Sequence, residues 1–480
     1  MAISSTRVEA ADGAGNVSAL EVDGSVSDAK NRGDISAGFR HADAQHWPAG
    51  SEFEVALRRH VIDPWFPRCL DLTHGGFLSD FDQAWRPCGP NEKLMEFQAR
   101  QTWLAAELLE FAPDDERLRQ AALHGFRFLR DVMWDHTSGG WFHRTNRAGE
   151  PLEAYTKHAH GIAYGINACI AIHTATAEAG ALDLARVGYD WLEQHAHDKQ
   201  HGGYFGWLKR DGTPIRQPSD CPWKTEDDTL GTPIGFKDVN VHSDLLETLL
   251  YVNRLLESKA ADRLDELVHL FCTKMITPSG ALFFSFESDW TPVPQIMRYG
   301  QALQTVHRLL AVGDLVGNEQ RMIYIARRLM NLTLRYGWDN ENGGVFFAGP
   351  GASCTSLEGH DLIVRKKLWW VQFEALRALL ALSFAVPDHE LYLDYFKRQW
   401  SYVQEHIFDV QYGGTYPAGL HNAHRWRRLF GRRFAPSEVT RKAHDWKDAS
   451  HEGWALLHCI SALKCNAHNW ESPAHKSETQ

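Results

Sequence analysis

A glycine turn followed by an aromatic, strand-like run recurs along the chain: THGGFLSDFD at 73–82, SGGWFHRTNRAG at 138–149, QHGGYFGWLKRDG at 200–212, PSGALFFSFESD at 278–289, NGGVFFAGPG at 342–351 and YGGTYPAG at 412–419. Gly76, Gly140, Gly203, Gly280, Gly344 and Gly414 are separated by 64, 63, 77, 64 and 70 residues. A period of this kind means that one supersecondary unit is used repeatedly. The chain must therefore fold as six copies of one device.

Each turn is preceded by a segment with apolar residues at three- and four-residue spacing, such as DERLRQAALHGFRFLRDVMWD or EQRMIYIARRLMNLTLRYGW. Each is followed by a polar arm and a second helix. The second helices, among them KLMEFQARQTWLAAELLEF, KHAHGIAYGINACIAIHTA and KKLWWVQFEALRALLALSF, are richer in small and apolar residues and belong inside. The glycines supply the positive φ of a tight turn at a helix end. The expected fold is all-α: an (α/α)6 barrel of six helical hairpins with short β-hairpin-like loops, over residues 49–470, with tails at 1–48 and 471–480. A six-bladed propeller fails, because each copy holds two helical segments and not four short strands. An open helical solenoid is the remaining rival.

Composition narrows the function classes. The net charge of −11 excludes a general nucleic-acid or anionic-membrane surface, and the cluster Arg425, Arg427, Arg428, Arg432 and Arg433 reads as a solvated loop. The 8 cysteines contain no CxxC pair, so reduced thiols and a cytoplasmic location are expected. No apolar run approaches the roughly 18 residues of a membrane span. A monomer and a homodimer joined through outer helices are both compatible with these features.

The first turns of the inner helices, at one end of such a barrel, would line a common pocket. Asn240, Asp244 and Glu247 share one helical face there, which must reach water or find partners; helix capping and a buried structural Glu247 is the alternative. His451 precedes an apolar run and can serve as general acid or base. Arg100 can face an oxyanion or an outward partner. Trp369 and Trp370 can stack on a sugar ring or seal the core. His160, Gln301, Gln304 and Glu374 complete the candidate substrate-binding set. No metal or other cofactor is expected: His158 and His160, two apart, suit an arm better than a helix, and HExxH is absent.

Four stretches, QAR at 98–100, VNVHSDLLETLL at 239–250, KLWWVQFEALRAL at 367–379 and WKDASHEGWAL at 446–456, carry a resemblance. The chain resembles the N-acylglucosamine 2-epimerase superfamily, sugar epimerases and aldose-ketose isomerases on an (α/α)6 barrel. The resemblance implies proton transfer at C2 of an opened aldose through an enediolate, with two histidines as acid and base. It implies that Arg100 steadies the developing charge, Asn240 holds a hydroxyl and His451 carries a proton, with Ser450 where tyrosine is usual.

Departures from the family pattern fall on functional positions. Asp244 stands where N-x-x-M-H-x-x-E places a histidine. Gln301 and Gln304 replace the histidine and glutamate of G-H-x-x-E. Glutamine cannot exchange a proton with a sugar at neutral pH, so Asp244 paired with His451 is the expected modified acid and base. Two other readings stay open: glycosidic cleavage, by an inverting hydrolase using Asp244 with Glu247, Glu374 or Glu452 or by a lyase using His451 and Arg100, and a noncatalytic sugar-binding protein.

Overall fold

The structure, a computed structural model, describes residues 48–223, 227–256, 260–313, 315–351, 363–419 and 441–470. Most of the expected tail at 1–48, all of the tail at 471–480 and the basic cluster at 425–433 lie outside the described residues.

Two concentric rings of helices make an (α/α)6 barrel. The inner ring is α2 (Met95–Phe111), α4 (Ala159–Thr176), α6 (Val239–Leu255), α8 (Tyr299–Gly313), α10 (Trp369–Ala385) and α12 (Ser450–Trp470). The outer ring is α1 (Gly50–Leu57), α3 (Glu116–Phe128), α5 (Ala181–His195), α7 (Ala260–Leu270), α9 (Glu319–Gly337) and α11 (Glu390–Tyr402). Each inner helix packs on the next, and α12 returns to α2 and α1, so the ring is closed and the solenoid is excluded. Composition dictates the layering. Residues 95–106 of α2 and 159–170 of α4 are all buried, whereas α3 buries a single stripe at Leu118, Ala121, Ala122, Gly125 and Phe126.

The glycine turns lead out of the outer helices into short strands, which pair with the arm entering the preceding inner helix. Lys93–Leu94 pairs with Arg144–Thr145, Lys157–His158 with Trp207–Leu208, Lys237–Asp238 with Ser285–Phe286 and Met297–Arg298 with Ala348–Gly349. Arg441–Ala443 pairs back on Phe81–Asp82, closing the circle at the loop end as well. Gly203 shows why the turn requires glycine: its φ is +70°, and an added Cβ would stand 2.4 Å from the Trp290 ring.

Five of the turns are stapled from below by one buried ion pair. An aspartate five residues before the second glycine accepts backbone N–H groups of its own turn and meets a lysine from the arm of an inner helix. The pairs are Lys93–Asp71 at 3.0 Å, Lys157–Asp135 at 3.3 Å, Lys237–Asp198 at 2.7 Å, Lys367–Asp339 at 2.7 Å and Lys442–Asp409 at 2.6 Å. The turn at 277–282 departs. It is one residue shorter, Thr277 takes the place of the aspartate, and Met297 takes the place of the lysine. Both charges are gone together, as the cost of an unpaired buried charge requires.

Buried histidines hold two of the same turns. His242 places Nδ1 2.6 Å from the Asp238 carbonyl while Nε2 accepts the Tyr204 N–H at 2.9 Å, and His60 Nδ1 lies 3.1 Å from the Gly414 carbonyl. Burial pushes His242 down to about 3, and His60 and His458 down to about 4. The unfolded chain takes up protons near pH 6.5 that the folded chain refuses until about 4. Stability is therefore full above pH 6.5 and falls as pH drops from there toward 4, by on the order of 3 kcal/mol for each histidine that titrates independently. Urea denaturation at pH 7.5 and pH 4.5 is expected to show a much lower midpoint at the acid value; equal midpoints would contradict it.

Candidate functional site

The arms entering α6, α8, α10 and α12 and the first two turns of the inner helices surround a cavity of about 500 Å³. Arg100, His160, Asn240, Asp244, Gln301, Gln304, Trp369, Trp370 and His451 all line it. Nine of the residues expected from sequence are thus brought to one place. Glu247 and Glu374 correct the expectation: neither lines the cavity. Both point sideways into arginines, Glu247 to Arg308 at 3.1 Å and Arg377 at 3.8 Å, and Glu374 to Arg377 at 4.0 Å. Not every polar residue of the first turns faces the cavity. Gln98 bonds Phe77, His242 bonds Tyr204 and Gln372 bonds Val345, each on the backbone just after a glycine pair.

The expected partnership of Asp244 with His451 is replaced by two separate ones. Asp244 is engaged by His160 Nε2 on one oxygen and by Arg308 on the other. His451 Nδ1 bonds Glu374 at 2.7 Å, and the second Glu374 oxygen bonds His307 at 2.8 Å. The reason is rotational: α6 stands opposite α12 in the ring, so its face meets α4 and α8 first.

These contacts join into a chain of alternating acidic and basic side chains along the cavity wall: Glu96, His160, Asp244, Arg308, Glu247, Arg377, Glu374 and His451. All six inner helices contribute a member. Burial disfavours charge on Arg308, but Asp244 and Glu247 outweigh it and hold the guanidinium firmly protonated. Glu374 is held well below the ordinary carboxylate range, because its two histidine hydrogen bonds and Arg377 outweigh burial. Arg100 lies outside this chain, with Nε 2.9 Å from Asp448 Oδ2 and its guanidinium 5.2 Å from the Tyr164 ring centroid.

The apolar wall is Trp370, tilted over His451 with ring centroids 5.6 Å apart. Gly300 makes room for it, since a Cβ there would stand 2.2 Å from the indole. Trp369 is fixed by its Nε1 donating to Glu452 at 3.1 Å. Gln301 donates to Asn240 Oδ1 at 3.2 Å, so these two amides present their remaining groups as a pair.

Sequence reasoning missed His444. It lines the cavity from the arm ahead of α12, edge-on to Trp369, and its Nδ1 accepts the Trp446 N–H at 3.3 Å. That bond places the ring proton on Nε2. Burial, aided by Lys447, pushes His444 down to about 4, so it stays neutral at pH 7. The available signal was its position, since every inner-helix arm supplies a cavity or staple residue.

Comparison with known proteins is consistent along the chain. The N-acylglucosamine 2-epimerase (GlcNAc 2-epimerase) family profile matches residues 215–418. The chain is 22% identical to the cellobiose 2-epimerase of Ruminococcus albus over 419 residues, 86% of this chain and 98% of that one. It is 25% identical to the D-mannose isomerase of Marinomonas mediterranea over 376 residues, 73% of this chain and 85% of that one. The solved cellobiose 2-epimerase of Spirochaeta thermophila superimposes with a TM-score of 0.74 at 25% identity, covering 87% of this chain and 97% of the other.

Proposed function

Because the chain belongs to the N-acylglucosamine 2-epimerase superfamily, we propose that its cavity carries out that chemistry, as a sugar epimerase or isomerase, with a rearranged set of proton carriers. The observation that carries this reading is His451: a carboxylate-backed imidazole, opening into the cavity beside Trp370 and Arg100.

Glu374 accepts the Nδ1 proton of His451, which leaves Nε2 as the basic atom on the cavity side. His451 Nε2 removes the C2 proton of an opened aldose held against Trp370. Negative charge develops on the C1 oxygen, where Arg100 and the Nε2–H of His444 supply positive charge and a hydrogen bond. A neutral imidazole suits this role, since it donates without first needing to be charged. Return of the proton from His451 to C1, with the O2 proton passing to O1, gives a ketose; delivery of a proton to the other face of C2 by an acid other than His451 gives the epimer. Asn240 and Gln301 hold hydroxyls. Cytoplasmic action fits the expected free thiols; among the described residues no cysteine is paired, and no helix is long and apolar enough to cross a membrane.

Cleavage is the weaker reading. An inverting hydrolase needs two carboxyls about 6.5–9.5 Å apart with water between them. Among the described lining residues Asp244 is the one carboxylate, and both its oxygens are occupied. Proton NMR in D2O with a panel of aldoses and of α- and β-linked disaccharides separates the readings. Deuterium at C2, with or without a new ketose, is the expected result. Two sugars released from one without exchange would replace this reading with cleavage, and ligand-induced stabilisation without any product would replace it with binding.

A further inference from the structure

Beside the sugar cavity, α2 and α4 bring together three groups that the spacing of His158 and His160 alone does not connect. Glu96 stands in the first turn of α2, His158 in the strand entering α4, and His160 in the first turn of α4. Their ligand atoms all lie within 4.8 Å of one another. His158 Nδ1 is 3.0 Å, and His160 Nδ1 3.4 Å, from the same Glu96 oxygen. A third imidazole, His143, puts Nδ1 3.5 Å from the other oxygen.

These side chains are fully enclosed: Glu96 is 0% exposed, His143 and His158 2%, and His160 5%. Even so, Glu96 Oε2, His143 Nδ1 and His160 Nδ1 make no hydrogen bond. Buried polar atoms without partners are rare in a folded protein. His158 Nδ1 does bond Glu96 Oε1, at 3.0 Å, but His160 Nδ1 at 3.4 Å from that oxygen and His143 Nδ1 at 3.5 Å from the other are close and yet misaligned, as groups are that converge on a common point. Donors bound at about 2.0–2.1 Å in tetrahedral directions stand about 3.3 Å apart. The 3.4 Å between His160 Nδ1 and Glu96 Oε1 matches that edge, and the 3.0 Å His158–Glu96 hydrogen bond is one that an ion would replace.

The outer contacts fit as well. His160 turns its other nitrogen, Nε2, to Asp244, which is held in turn by Arg308. A carboxylate behind a ligating histidine fixes its tautomer and orientation. Two imidazole nitrogens and one carboxylate oxygen are a donor set suited to zinc, whereas magnesium and calcium take oxygen.

We propose that Glu96, His158 and His160 bind one divalent transition-metal cation of the zinc type, with a fourth position on the His143 side. The ion ties α2 to α4 at the mouth of the barrel and sets the placement of His160 in the cavity wall. The proposal is independent of the sugar chemistry.

The test uses the full chain, purified without a histidine tag and stripped with chelator. Titration with Co²⁺ is expected to give one ion per chain, with a visible d–d spectrum displaced by one equivalent of Zn²⁺. X-ray absorption of the zinc protein is expected to show two imidazoles at about 2.0–2.1 Å. The double variant E96Q/H158Q, its fold checked by near-ultraviolet circular dichroism, is expected to lose affinity by about 100-fold or more. Weak, non-stoichiometric binding by the wild-type chain would overturn the proposal, as would undiminished affinity in a folded double variant. Should that variant not fold, the absorption spectrum decides: a shell without two imidazoles refutes the site.

Discussion

Replacing His451 by alanine is expected to lower deuterium exchange at C2 by about 10²–10⁴-fold, the range that a positioned acid-base group supplies, while the barrel stays folded. The fold survives because Glu374 does not become an orphaned buried charge: its second oxygen keeps His307 at 2.8 Å, and Arg377 remains 4.0 Å away. His444→Gln is the informative contrast. An amide still offers an N–H toward the developing oxyanion, so exchange should fall by about 10-fold to 100-fold and less than in the His451 variant. Wild-type turnover by His451→Ala would remove His451 from the mechanism. A loss in His444→Gln as deep as in His451→Ala would make His444 a proton carrier and not a donor of one hydrogen bond.

What the sequence made legible follows from which interactions are periodic. The barrel could be read because the glycine pairs repeat and because the two helix sets differ in composition, both local properties of one strand of text. The cavity residues could be read for a related reason: each lies within the first two turns of an inner helix, so Arg100, Asn240, Asp244 and His451 share one end of the barrel. Their partners could not. Spacing at i, i+4 and i+7 places Asn240, Asp244 and Glu247 on one face but does not say which neighbour that face meets. The structure turns Asp244 to α4 and α8, and Glu247 away from the cavity into Arg308. His444 was missed because it belongs to an arm, where no helical periodicity marks a direction. Glu96 was missed because its role appears only when α2 lies beside α4.

The stapled turns were readable and went unread, and they carry the largest stability prediction. Lys237→Met is expected to cost about 3–5 kcal/mol, because it leaves Asp198 buried and without its counter-ion. The double variant Asp198→Thr with Lys237→Met is expected to recover at least half of that loss, although it removes more polar groups. The chain already contains the precedent in Thr277 and Met297, where the Thr277 hydroxyl accepts the Ala281 N–H at 3.1 Å and no charge remains to be paired. The lysine also lies 4.8 Å from the Trp290 ring centroid, and methionine keeps an apolar stem against that ring. Equilibrium urea unfolding of the three chains, which needs no substrate, measures both numbers. A single substitution costing under about 1 kcal/mol would mean that the pair is solvated and contributes as little as a surface bridge. A double variant less stable than the single would mean that Asp198 holds its turn through its backbone bonds whether or not lysine is present, and that the uncharged turn at 277–282 depends on its shorter loop.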